Sequence, residues 1–130
     1  MSFFKKMFSV DPCALEERAD AQFEAGEYGG AKLTYDKARE AYGSEAPEGL
    51  ESKIQRCMDG IARQRIAEGK LQMERGLGEL ASQELLGALE VAVDPAVRAE
   101  AQSLLDRLEG DEAKQEAVSL ETTDEERIAL

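Results

Sequence analysis

Three acidic residues recur at four-residue intervals near the start of the chain: Glu16, Asp20 and Glu24. On a helix this spacing places the three carboxylates on one face, where they form an acidic ridge beside Phe23. Such a ridge could attract a basic segment of a partner. In enzymes, paired carboxylates also support acid–base catalysis. An ordinary solvated helix face gives the same pattern.

The sequence favours binding over catalysis. It contains no His, no GxxxxGK phosphate loop and no serine elbow, so the usual nucleophile, base and phosphate sites are missing. The two cysteines, Cys13 and Cys57, lie far apart and form no CxxC pair, which argues against zinc. We therefore predict a protein that is not an enzyme, has no metal site and needs no cofactor, with reduced cysteines typical of the cytoplasm.

Composition indicates an all-α fold. Of the 130 residues, 42% are hydrophobic and 34% charged, with three Pro and no Trp, and helix-favouring residues dominate. The 28 acidic residues against 16 basic ones leave a formal charge of -12, which repels the phosphate backbone of nucleic acids. No apolar run approaches the roughly 18 residues of a membrane span.

Apolar periodicity and helix signals predict five helices. Asp11-Pro12 and Asp94-Pro95 each pair an N-cap with a first-turn proline, and Gly26, Gly43 and Gly76 mark helix ends. The third helix begins near Ser44 to Pro47 and continues to about Arg75. Its apolar stripe drifts from one face to another, as expected where different neighbours pack on its two ends. The fifth helix is predicted to end near Gly110.

These signals divide the chain into three parts: an amphipathic N-terminal segment at 1–10, a helical domain at 11–110 and a polar, partly disordered tail at 111–130. Thr123 and Glu126 form a capping box close to the last residue. A chain that starts a helix there is expected to be a fragment of a longer protein.

The two helical hairpins share one pattern at a separation of fifty residues, with Gly at the turn, then Ala, a large apolar residue and Ala. The positions are Gly26, Ala31, Tyr35 and Ala38 in the first hairpin and Gly76, Ala81, Leu85 and Ala88 in the second. With Ala19, Phe23 and Tyr28, the first hairpin resembles the tetratricopeptide repeat. The fifty-residue spacing exceeds the family's thirty-four or so because the central helix is extended. The resemblance implies antiparallel hairpins of the α-solenoid type.

That resemblance also implies a function. Repeat proteins of this kind bind partners on a concave face formed by the first helix of each unit, so the chain is expected to act as a scaffold or adaptor for a basic or amphipathic segment. The residues that the resemblance places on this face are Glu16, Asp20, Phe23 and Glu24 from the first unit, and Arg63, Ile66, Lys70, Met73 and Glu74 from the second. Because two units are few, a capping role for the fifth helix, a dimer or further repeats is also expected.

The N-terminal segment supplies an alternative. On a helix, Phe4, Met7 and Phe8 would share one face with Phe3 nearby, while Lys5 and Lys6 would point away. Such a segment could attach the protein weakly to an anionic membrane, at the inner face, or support self-assembly. It could equally pack onto the helices as an N-terminal cap.

Overall fold

The computed structural model describes residues 10–129, with side chains for 10–117. This part of the chain consists of helices joined by short turns, with no strand, and confirms the all-α prediction. The helices are α1 (Pro12–Glu24), α2 (Tyr28–Tyr42), α3 (Gly49–Glu74), α4 (Gly78–Val91) and α5 (Pro95–Ala129), with a 3-10 turn at Gly43–Glu45 between α2 and α3. Within these residues, none of the helices has an apolar stretch long enough to cross a bilayer.

Each helix runs antiparallel to the one before it. Tyr42, at the end of α2, contacts Glu16 near the start of α1, whereas Tyr35 in mid-α2 contacts Asp20 further along α1. Alternate helices are parallel: α3 contacts α1 through Lys53 and Glu16. The ion pairs of α3 with Asp94, the N-cap of α5, and with Glu100 within α5 follow the same order along both helices. The chain therefore forms successive hairpins, with α1, α3 and α5 running in one direction.

Helix α3 belongs to two hydrophobic cores. Its first half packs with α1 and α2, and its second half packs with α4 and α5. The first core contains Ala19, Ala31, Tyr35, Leu50, Ile54 and Cys57. The second contains Ala62, Ile66, Ala81, Leu85, Ala88, Ala92, Val97, Ala101, Leu104, Leu105 and Leu108. This division explains the drifting apolar stripe that the sequence shows.

The two hairpin turns have the same geometry. Gly26 and Gly76 adopt φ of 80° and 75°, the left-handed region that favours glycine. In the first turn the amide of Glu27 donates to Gln22 O at 2.9 Å and that of Gly26 to Phe23 O at 3.0 Å. Fifty residues later the corresponding bonds are 2.9 and 3.1 Å. Both turns are thus Schellman motifs, which confirms the role predicted for the two glycines.

Both predicted Asp-Pro caps are also confirmed. Asp11 accepts the amide hydrogen of Cys13 at 3.0 Å, and Asp94 accepts that of Ala96 at 2.9 Å. Proline at the first position of each helix lacks the N–H that would otherwise need a partner.

The end predicted for the fifth helix is wrong. Helix α5 continues through Gly110 to Ala129, so residues 111–129 are helical where the sequence suggested a partly disordered tail. Gly110 does not take the left-handed backbone that ends α1 and α3. A single glycine inside a helix costs only about 1 kcal/mol relative to Ala, and the Glu, Ala, Lys and Gln residues that follow favour helix.

A carboxylate that sequence analysis did not single out fixes the turn between α4 and α5. Asp59, on α3, is 9% exposed and accepts the amide hydrogens of Val93 at 2.7 Å and Asp94 at 2.9 Å. These amides lie just before α5, where no helical partner is available to them. Asp59 therefore ties the start of α5 to the middle of α3.

Replacing this carboxylate should loosen the turn. We expect Asp59→Ala to lower the free energy of unfolding by about 1–3 kcal/mol, because two amides lose their acceptor. Asp59→Asn keeps one side-chain oxygen and should cost less. Urea denaturation followed by circular dichroism measures both, and equal stability of wild type and Asp59→Ala would contradict the role assigned to Asp59.

A second close contact joins the hairpins at Gly60. A Cβ atom added at Gly60 would lie 2.6 Å from Tyr28 Cγ and 2.8 Å from its two Cδ atoms, well inside the normal contact distance. The ring of Tyr28, at the start of α2, thus lies against the backbone of α3. Only glycine permits this approach.

A pair of Gly→Ala substitutions distinguishes the effect of this contact on stability from the effect of helix propensity. Gly60→Ala should lower the free energy of unfolding by about 1–3 kcal/mol, because the Tyr28 ring must move. The control is Gly110→Ala, where no atom lies within 4 Å of the added Cβ, and it should raise stability by up to about 1 kcal/mol. Changes of the same sign in both variants, measured by thermal denaturation, would refute the packing argument.

Candidate functional site

A groove runs between the parallel helices α1 and α3, and we call it the α1–α3 groove. It consists of two adjoining cavities of about 270 and 340 Å³ that share Phe23 and Arg56. The first cavity is also lined by Asp20, Glu24, Tyr35 and Lys53. The second is also lined by Gly26, Tyr28, Gly60, Arg63, Gln64 and Ala67. Four residues of the groove come from the predicted partner-binding face: Asp20, Phe23, Glu24 and Arg63.

The acidic ridge is largely neutralised inside the protein. Lys53 on α3 lies between two of its carboxylates, 2.8 Å from Glu16 and 3.1 Å from Asp20. Two tyrosines of α2 complete the network: Tyr42 donates its hydroxyl hydrogen to Glu16 at 2.9 Å, and Tyr35 donates to Asp20. These carboxylates hold α1, α2 and α3 together.

The network stabilises the charged forms of its members. Hydrogen bonds from Lys53 and Tyr42 hold the pKa of Glu16 below its usual value. For Asp20, partial burial alone would raise the pKa, but hydrogen bonds from Tyr35 and Lys53 outweigh burial and leave the pKa lowered. The bond to Glu16 raises the pKa of Lys53. All three groups are therefore ionised at neutral pH.

Glu24 differs from the other two ridge residues. It is exposed and belongs to no ion pair among residues 10–117. The ridge thus presents one uncompensated carboxylate where the sequence suggested three. Sequence analysis missed Lys53 because it follows Asp20 by 33 positions, and periodicity does not show which helix will pack alongside α1.

Aromatic and cationic contacts are centred on Phe23, which lines both cavities. The ring of Phe23 meets Tyr28 edge-on, with centroids 5.1 Å apart and planes at 64°. The guanidinium of Arg56 lies over the Phe23 ring at 4.9 Å from its centroid. Both contacts are favourable geometries for aromatic rings. They fix Phe23 and Arg56, which line both cavities, and Tyr28, which lines the second cavity.

Of the residues predicted from the second unit, Arg63 lines the second cavity, whereas Ile66, Lys70, Met73 and Glu74 line neither cavity of the groove. Ile66 is only 3% exposed and packs in the second core, so it is not available to a partner. Lys70 forms an ion pair with Glu100 of α5 at 2.7 Å. Met73 is half-buried against the second core. These residues are placed there because α5 packs against the second half of α3.

The predicted N-terminal docking residues lie outside the described part of the chain. They are Phe3, Phe4, Lys5, Lys6, Met7 and Phe8. A separate cavity of about 350 Å³ adjoins residue 10 and is lined by Val10, Leu15, Lys37, Glu40 and Ala41.

The α1–α3 groove is suited to non-covalent binding. It offers apolar rings, paired charges and two arginines, and within residues 10–117 no group of three His, Cys, Asp or Glu side chains could hold a metal ion.

Comparison with models of protein families, with curated proteins and with solved structures finds no match to this chain. The groove's own geometry is therefore the basis for assigning a function.

The Lys53 network should show itself in the pH dependence of stability. Lowered carboxyl pKa values in the folded state mean that Glu16 and Asp20 contribute stability above their unfolded pKa values of roughly 4, and lose it as pH falls through the lower folded values. Lys53→Met should reduce stability at pH 7 by on the order of 1 kcal/mol and reduce the loss on acidification.

The matched control is Lys37→Met, which removes the same charge from an exposed lysine of α2 with no ion pair among the described residues. Urea denaturation from neutral to acid pH should give Lys37→Met the wild-type profile. If Lys53→Met also follows the wild-type profile, the lysine does not lower the two carboxyl pKa values.

Proposed function

We propose that this protein is a non-enzymatic scaffold or adaptor that binds a segment of a partner protein in the α1–α3 groove. The observation that carries the proposal is the pair of adjoining cavities, about 270 and 340 Å³, joined through Phe23 and Arg56. Together they form an elongated site along two parallel helices. Such a site suits a polypeptide whose successive side chains occupy successive cavities.

The hairpin geometry supports this proposal. The Schellman turns lie fifty residues apart, and α1, α3 and α5 run parallel, as expected for a tetratricopeptide-like array. In such an array the first helices of the units form the partner-binding face. The groove lies between the first two of them.

The chemistry of the groove also favours a peptide over a buried small molecule. Its walls carry several exposed charged side chains beside the half-buried Phe23 and Tyr28. Apolar side chains of a partner would gain about 25 cal/mol for each Å² of apolar surface buried against these rings, and the charged rim would set orientation. Both cysteines are free thiols, which supports a reducing compartment such as the cytoplasm.

A steric substitution tests this function. Ala67 is exposed and lines the second cavity, so Ala67→Trp should fill the cavity without disturbing either core. Ala113→Trp adds the same ring to an exposed position on α5 and controls for non-specific adhesion. Random peptides displayed on phage would be selected on wild type and then assayed on both variants, whose folding is checked by circular dichroism.

We expect peptides that bind wild type and Ala113→Trp but bind Ala67→Trp at least tenfold more weakly. Selected peptides that bind all three proteins alike would place the binding surface elsewhere. Failure to select any peptide would count against peptide binding as the function.

A further inference from the structure

We propose that the second cavity of the α1–α3 groove recognises an acidic side chain of the partner segment, next to an apolar one. This inference rests on the proposed function and adds the chemistry of the partner. It departs from the basic partner that the acidic ridge suggests, because Lys53 neutralises Glu16 and Asp20 and the second cavity is lined by arginines without a carboxylate.

The charges that line the two cavities differ. The first cavity has two carboxylates, Asp20 and Glu24, and two cations, Lys53 and Arg56. The second has two arginines, Arg56 and Arg63, and no carboxylate. In a chain with 28 acidic residues against 16 basic ones, a cavity lined by cations alone is a local reversal of charge.

Neither arginine forms a side-chain hydrogen bond among residues 10–117, and the one ion pair, between Arg63 and Asp94, is long. No ion pair or side-chain hydrogen bond among residues 10–117 involves Arg56, and its guanidinium is held 4.9 Å from the Phe23 ring centroid. The one carboxylate within 4 Å of Arg63 in this part of the chain is Asp94, at 3.9 Å, beyond hydrogen-bond distance. A guanidinium carries five N–H donors in a planar fork that matches a carboxylate. A partner carboxylate would satisfy donors that the protein itself leaves unsatisfied.

The remaining lining of the second cavity is largely apolar. It includes the rings of Phe23 and Tyr28 and the small residues Gly60 and Ala67. The Tyr28 ring is packed against Gly60, which fixes one wall in place. A carboxylate at the arginines and an apolar side chain against the rings would fill both parts of this cavity, so the partner carries the two side by side.

The first cavity determines the direction in which the partner segment lies along the groove. Glu24 stands there with no ion pair among the described residues, and it would repel an acidic side chain. The partner's acidic residue is therefore directed to the Arg63 end of the groove. The overall charge of -12 opposes an acidic partner at long range, but physiological salt screens charges beyond about 8 Å. Contacts within the cavity then decide which side chain is accepted.

The peptides selected on wild type provide the test. We expect those that depend on the groove, by the Ala67→Trp criterion, to be enriched in Asp or Glu beside an apolar residue. Synthetic versions would be compared with analogues in which Asp and Glu are replaced by Asn and Gln. Fluorescence anisotropy should show the amide versions binding roughly tenfold more weakly, with the difference shrinking as salt is raised.

Two arginine variants and a control show whether Arg56 and Arg63 cause the preference for an acidic peptide. Arg56→Gln and Arg63→Gln should each reduce the preference for the acidic peptide over its amide version. Arg18→Gln removes an exposed arginine of α1 that lines neither cavity and should keep the full preference. Urea denaturation of each variant separates loss of binding from loss of fold.

The outcomes separate this inference from the function on which it rests. Groove-dependent peptides that are basic or uncharged would overturn the acidic partner and leave groove binding intact. Acidic peptides whose preference survives both arginine substitutions would also overturn it. If no peptide depends on the groove, both proposals fall.

Discussion

Helix α3 has to serve two hydrophobic cores with one continuous backbone, and the rest of the structure depends on this constraint. Leu50 and Cys57 in its first half face α1 and α2, whereas Ala62 and Ile66 in its second half face α4 and α5. Because the helix does not break between them, it fixes one hairpin relative to the other. The groove follows from the same constraint, since its second wall is the first half of α3 and the residues just beyond.

Ion pairs between alternate helices repeat with their signs exchanged. Between α1 and α3 the carboxylates, Glu16 and Asp20, are on the earlier helix and Lys53 is on the later one. Between α3 and α5 the cation, Lys70, is on the earlier helix and Glu100 is on the later one. Lys70 lies fifty positions after Asp20, the same separation as the two hairpin turns. The contact is thus a property of the repeated packing, and either polarity of charge satisfies it.

This pairing changes how the net charge of the molecule should be interpreted. Glu16 and Asp20, which look like part of a binding ridge in the sequence, hold helices together, whereas the exposed side chains of Arg56 and Arg63 line the second cavity of the groove. A net charge of -12 describes long-range repulsion and solubility, whereas binding depends on the charges that have no partner within the fold. In this protein the charges that line the second cavity are positive, opposite in sign to the net charge.

The sequence by itself determined the all-α fold, the Asp-Pro caps at Asp11 and Asp94 and the turns at Gly26 and Gly76, because each depends on residues only a few positions apart. It also located Phe23 on the groove. It did not reveal Lys53 as the partner of Glu16 and Asp20, the contact of Tyr28 with Gly60, or the hold of Asp59 on the start of α5. Those pairs are separated by more than thirty residues, and only the packing of α3 against its neighbours brings them together. This packing also determines the charge of the groove, because it determines which charged side chains pair and which stay exposed.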